Sequence, residues 1–272
     1  MLKSASRRQV TFGLCSCGAA AVLGGTAHAA PVHQGGCYLA ASEYQAIVAP
    51  TASEFSFMGH AASAGGGRSG VNAGSSGDRN FDQALAITLA KLSNIFEVLP
   101  AFSFFTEENG SINAYSSTQI TRRDRPDGSV AYGRNLLKKQ LSNETTSIAW
   151  VVGVCAHEFA HSLQFKRGTA KVLEDMSGGS VYRTELHADY LAGYFSGTRK
   201  LEKPDFPAAE LALGMFMVGD TYFDNKGHHG TPAQRGEAVR QGFKQAYEQK
   251  ASFNDAFDAG FRFAKAQKLQ RP

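Results

Sequence analysis

The chain has 272 residues, with 28 Lys and Arg against 24 Asp and Glu, and a formal net charge of +4. Apolar residues make up 43% and charged residues 19%, which excludes wholesale disorder, and no apolar run is long enough for a polytopic membrane protein. The length suits one large domain or two small ones, enough to bury a core without disulfide staples.

Part of the positive charge lies at the start. Lys3, Arg7 and Arg8 precede the weakly apolar run Thr11–Gly25, and Ala27-His28-Ala29 follows. A basic start, a short apolar middle and a small-x-small end predict a cleavable export signal over residues 1–29. Ser6-Arg7-Arg8-Gln9-Val10-Thr11 and the Gly/Ala-rich middle favour the twin-arginine type over an ordinary Sec signal. Cleavage removes three of the 28 basic residues and no acidic one, taking the net charge from +4 to +1. A nucleic-acid partner then loses its electrostatic support, and no stable membrane span remains. The predicted location is periplasmic or secreted. Of the four cysteines, Cys37 and Cys155 survive cleavage, either as a pair or with Cys155 as a buried thiol.

Residues 30–79 read as an N-terminal segment with a short helix over 37–49. The stretch Gly59–Gly77 has the composition of a flexible linker. Its Gly65-Gly66-Gly67-Arg68-Ser69-Gly70 fits G-x-G-x-x-G, but neither a strand nor a helix flanks it, so the dinucleotide reading fails. A domain over residues 80–272 follows. Helical spacing of Leu85, Leu89, Leu92, Phe96 and Leu99 predicts a helix over Phe81–Leu99, capped by Asn80 and stopped by Pro100. Strands are predicted at Phe102–Thr106, Ile112–Ile120 and Ser129–Gly133, the last entered through the turn Asp124-Arg125-Pro126-Asp127-Gly128. Helices are predicted over Thr145–Phe165 (closed by Gly168), Ser180–Phe195 (closed near Gly197), from Asp205 with Pro207 in the first turn, from Thr231-Pro232 to about Gln249, and from Ser252 with Asp255. The fold class is α+β: a small antiparallel sheet followed by helices.

The chemistry lies in the helices. His157-Glu158-Phe159-Ala160-His161 is H-E-x-x-H. Helical positions four apart share a face, so both imidazoles can reach one zinc ion. Glu158 sits about 100° round the helix, where it can touch a zinc-activated water. A third ligand is needed. Gln164 and Arg167 exclude the extended H-E-x-x-H-x-x-G-x-x-H pattern. The next helix offers Glu185 and Asp189 on one face and His187 on the other. Either Glu185 is the ligand, with Asp189 behind a ligating histidine, or His187 is. The first choice is preferred because ligating histidines commonly donate their other ring N–H to a carboxylate.

The run His157–Gln164, with Glu185-Leu186-His187-Ala188-Asp189 and Ala192-Gly193, resembles the bacterial neutral zinc metallopeptidases. Gly219-Asp220 with His229-Gly230-Thr231-Pro232-Ala233-Gln234-Arg235 is similar to that family's third block. More distantly, the order of motifs is similar to that of CAAX-type prenyl proteases. The likeness covers roughly residues 81–243. Two departures stand out: Thr221 follows Asp220 where an acidic residue is expected, and a cleavable signal replaces a membrane anchor. The resemblance implies a zincin-like fold, one zinc ion, and a peptide or protein substrate laid along an edge strand at Asn113 and Ala114. It also implies an oxyanion-stabilising role for His229, held by Arg235, with His228 as a substitute. The expected function is zinc-dependent peptide-bond hydrolysis with Glu158 as the base. A non-catalytic zinc-binding adaptor or chaperone, or a hydrolase of non-peptide amides in the cell envelope, remains open beside it.

Overall fold

The computed structural model describes residues 75–107, 112–142, 147–217 and 227–268. The export signal, the helix predicted over 37–49, most of the Gly-rich stretch, Cys37 and Asp220 lie outside the described residues. Everything described belongs to one compact unit. It is mixed α+β and mostly helical, with eight helices and a three-stranded sheet among the described residues. None of those helices is long and apolar enough to cross a membrane.

Helix α1 (Arg79–Phe96) buries Phe81, Leu85, Leu89, Leu92 and Phe96, the stripe expected from the spacing. Its cap is Asp78, not Asn80: the Asp78 carboxylate accepts from the backbone N–H groups of Asn80 and Phe81 at 2.9 and 3.1 Å. The helix ends at Phe96, before the predicted Leu99, because Glu97 turns left-handed at φ 54°.

The sheet comprises β1 (Ala101–Phe105), β2 (Ala114–Ser117) and β3 (Ser129–Gly133). Its order is β1-β3-β2, with β1 parallel and β2 antiparallel to β3. This corrects the antiparallel expectation. Strand β3 inserts between the other two and runs parallel to β1. Central β3 is buried along its whole length, as is the end strand β1, whereas the other end strand, Ala114-Tyr115-Ser116-Ser117, is only half-buried and suits an exposed edge. Strand β2 is also shorter than Ile112–Ile120, whose end residues are exposed. The turn before β3 needs a glycine: Gly128 has φ +86°, and a Cβ there would sit 2.1 Å from the Ser117 carbonyl oxygen.

Helix α2 (Arg134–Leu141) had no local signal. Its N-cap is Gly133, which has no side chain to accept a bond. Glu107, from a distant segment, substitutes. Its carboxylate accepts from the N–H groups of Asn135 at 2.7 Å and Leu136 at 2.9 Å. Helix α3 (Ser147–Arg167) carries the H-E-x-x-H motif and ends before Gly168, which has φ +69°. Residues 148–164 are all buried, so α3 is covered on every side rather than along one stripe. Strands β2 and β3 lie against it.

Helix α4 (Thr169–Asp175) is a short extra turn before α5 (Tyr182–Glu202). Helix α5 runs straight through Gly197, the predicted stop. Helices α6 (Ala208–Met217), α7 (Pro232–Tyr247) and α8 (Phe253–Ala266) complete the fold. Thr231 and Gln234 form the capping box of α7, while Ser252 caps α8 by accepting from the Asp255 N–H at 3.2 Å.

The glycines of α5 serve packing, not termination. A Cβ on Gly193 would lie 2.1 Å from the Val239 carbonyl oxygen, and one on Gly242 of α7 would lie 1.8 Å from that of Tyr190. Gly197 approaches Phe243 and Ala246 in the same way. The backbones of α5 and α7 therefore touch where ordinary side chains would hold them apart. Substituting Gly242→Ala should lower stability by about 1–3 kcal/mol through overpacking. Urea unfolding reads this as a lower midpoint at unchanged slope, and an unchanged midpoint would contradict the close approach.

Cys155 is a free, fully buried thiol on α3. Burial pushes its pKa up, and the neighbouring Glu158 carboxylate acts in the same direction. Iodoacetamide at pH 8 should leave Cys155 unmodified in the native protein and label it after unfolding, as mass spectrometry of its peptide will show.

Candidate metal centre

His157 and His161 lie one turn apart on α3 and present their rings edge to face, with centroids 4.6 Å apart. Glu185 comes from the first turn of α5. His157 Nε2 and His161 Nε2 are 3.0 Å apart. The Glu185 carboxylate approaches both, with Oε2 at 3.0 Å from His157 Nε2 and Oε1 at 3.3 Å from His161 Nε2. These three side chains can hold a metal ion.

The other ring nitrogens show why. His157 Nδ1 donates to Asp189 Oδ1 at 2.8 Å. His161 Nδ1 donates to Gln164 Oε1 at 2.8 Å. In a neutral imidazole one nitrogen carries the proton and the other a lone pair. With both Nδ1 positions donating, both Nε2 lone pairs point into the same space, together with a carboxylate. Three electron-pair donors at such distances repel unless positive charge sits among them.

Asp189 is the fixed point behind His157. It is fully buried and accepts from Arg235 twice, from Nε at 2.7 Å and from Nη2 at 2.8 Å. Such a bidentate pair fixes orientation as well as charge. Arg235 itself is buried in the first turns of α7, which the Thr231–Gln234 capping box holds in place. Nε and Nη2 of Arg235 both donate to the Asp189 carboxylate.

The charges answer one another. Burial alone opposes protonation of His157, yet Asp189 at Nδ1 and Glu185 at Nε2 overcome it and push the imidazole up to about 10. Burial likewise opposes protonation of His161, and Glu185 raises it. Burial favours the neutral form of Glu185, but His161 and His157 hold its carboxyl well below the usual range. Burial also raises Asp189, and Arg235 with His157 bring it below its ordinary value. Glu158 differs. Burial pushes its carboxyl up, and the pull of His157 and His161 does not cancel the rise.

His187, the alternative ligand, points elsewhere. It is fully buried between α5 and α8, with its ring edge-on to Phe257 at 4.8 Å. Nε2 donates to the Phe257 carbonyl at 3.3 Å, and burial pushes its pKa down to about 3. Glu185 is therefore the residue of α5 that faces the two histidines. In the turn before α7, His228 is buried and His229 exposed, and Gly230 packs against Leu186 and Arg235. On the sheet edge, the Asn113 carbonyl accepts from the Gly133 N–H at 3.0 Å, and its N–H donates to Glu107 at 3.4 Å. The antiparallel alternation then turns the backbone groups of Ala114 and Ser116 away from β3. Sequence reasoning missed two contributors. Gln164 lies three residues after His161, a spacing that places it on the same face. Glu107 carried no such signal, because its partners are distant in sequence.

Replacing Asp189 by Asn would leave His157 Nδ1 a neutral partner and Arg235 an uncompensated buried charge. Asp189→Asn should weaken divalent-metal binding about 10–100-fold in a chelator competition. Unaltered affinity would show that Asp189 does not support the centre. No family model matches the chain, and no curated protein and no solved structure matches it. The chemistry of the centre therefore has to be read from its own donor atoms.

Proposed function

We propose that the protein is a zinc-dependent metallopeptidase that hydrolyses peptide bonds. The observation that carries this reading is the convergence of His157 Nε2, His161 Nε2 and the Glu185 carboxylate, with Glu158 buried on the same helix. Atoms bonded to a tetrahedral zinc at about 2.0–2.1 Å lie about 3.3 Å from one another. The two Nε2 atoms, 3.0 Å apart, and the Glu185 oxygen 3.0 Å from His157 Nε2 are close to that spacing. Two imidazoles and one carboxylate also suit zinc better than a hard cation.

A zinc ion held by His157, His161 and Glu185 would supply Lewis-acid chemistry, lowering the pKa of a bound water and polarising the scissile carbonyl. The chain's own residues do the rest. Asp189 keeps His157 in the Nδ1-protonated tautomer, and Arg235 keeps Asp189 in place. Glu158 accepts the proton of the attacking water and returns it to the leaving amine. His229 is assigned the hydrogen bond to the developing oxyanion, with buried His228 as the alternative donor in the same turn. An extended peptide adds to β2, using the outward backbone of Ala114 and the exposed side chain of Asn113. With the export signal, the substrate is an envelope or extracellular peptide or protein.

Incubation of the protein, freed of residues 1–29, with a diverse peptide library should give cleavage that a chelator abolishes and zinc restores. Glu158→Gln should retain the metal and lose about 10²–10⁴-fold in turnover. Undiminished turnover in that variant would rule out the mechanism. Full zinc occupancy without cleavage would favour an adaptor or chaperone, and cleavage confined to non-peptide amides an envelope hydrolase.

A further inference from the structure

Gln164 is fully buried at the foot of the metal helix, and its carboxamide touches three groups. Oε1 lies 2.8 Å from His161 Nδ1, while Nε2 lies 2.8 Å from the Thr184 carbonyl oxygen and 3.2 Å from His187 Nδ1. A carboxamide has one accepting end and one donating end. The Thr184 carbonyl can only accept, so the NH₂ end faces it and the oxygen faces His161. His161 must then carry its proton on Nδ1 and its lone pair on Nε2. The second amide hydrogen goes to His187 Nδ1, which leaves the His187 proton on Nε2, 3.3 Å from the Phe257 carbonyl. The hydrogen bonds run in one direction: His161 to Gln164, Gln164 to His187, and His187 to the backbone of α8.

We propose that Gln164 is a positioning residue for the metal centre. It holds His161 in the metal-binding tautomer and anchors that ring, through His187, to α8. This inference rests on the metal reading of the site. The device is neutral throughout, whereas His157 is anchored by the charged Asp189–Arg235 pair. It also requires an amide. A carboxylate at position 164 would set an oxygen 2.8 Å from the Thr184 carbonyl oxygen with no hydrogen between them. His161 is thus aimed by geometry with no added charge, and His157 is aimed and made more basic.

The test uses the full chain, zinc, and Gln164→Met and Gln164→Glu, the first similar in length but without hydrogen bonds. Zinc affinity from chelator competition should fall about 10–100-fold in both variants. The ligand-field bands of the cobalt-substituted variants should shift, while far-UV circular dichroism stays that of the parent. A merely structural glutamine would not move the cobalt bands. In the zinc-loaded parent, ring ¹H–¹⁵N NMR should place exchange-protected protons on His161 Nδ1 and His187 Nε2. This last measurement decides the matter even if a variant fails to fold. Parental affinity and cobalt spectrum in a folded variant, or a His161 proton on Nε2, would overturn the role of Gln164 alone. Failure of the parent to bind zinc would overturn the metal reading, and this inference with it.

Discussion

Three carboxylates, Glu158, Glu185 and Asp189, are buried close together, and the interior must supply positive charge to keep them there. A charged group taken from water without a partner costs several kcal/mol, so the arrangement of helices is constrained by where the compensating charges come from. Arg235 meets Asp189 with two hydrogen bonds. Glu185 and Glu158 are left to His157 and His161. Both imidazoles are raised above their ordinary pKa against the opposing effect of burial, so the pocket favours positive charge in that space. Protons can provide it, and so can a metal ion held by His157, His161 and Glu185.

That electrostatic solution depends on backbone geometry. Arg235 reaches Asp189 because α5 and α7 approach at Gly193, Gly197 and Gly242. The first turns of both helices are then tied to the end of the described chain. Tyr182 and Arg183 donate to the Gln267 carbonyl, and Gln234 donates to that of Lys268. Each tie lies within three residues of a centre residue: Arg183 is two before Glu185, and Gln234 adjoins Arg235. The residues that follow α8 thus tie the first turns of α5 and α7, which carry Glu185 and Arg235. Strands β2 and β3 lie against α3. The edge strand and the H-E-x-x-H helix are accordingly parts of one packed unit.

The elements that were legible in the sequence are those whose signals are local. The apolar spacing of α1, the Thr231-Pro232 opening of α7 and the strand Ser129–Gly133 depend on neighbours a few residues apart. The H-E-x-x-H pair was legible for the same reason, since four residues of helix fix the alignment of two side chains. Misreadings came where a residue serves a distant partner. Gly197 was read as a helix stop, yet it permits contact with α7. Asn80 was read as the cap of α1, but Asp78 takes that place. Helix α2 was missed because its cap, Glu107, lies in another segment. The sheet was read as antiparallel throughout because succession along the chain does not reveal which strand becomes central or which way its neighbours run.

By itself, the sequence determined the helical spacing of His157, Glu158 and His161 and the shared face of Glu185 and Asp189, because an α-helix has a fixed period. The tertiary structure decided what those faces meet. It turned Glu185 toward the two histidines and His187 into the contact with α8, and it committed Arg235 to Asp189. It also made Gln164 a link between His161 and His187. Such choices depend on how α3, α5, α7 and α8 pack against one another, and that packing is set by backbone contacts at glycines and by buried charges that no local window contains.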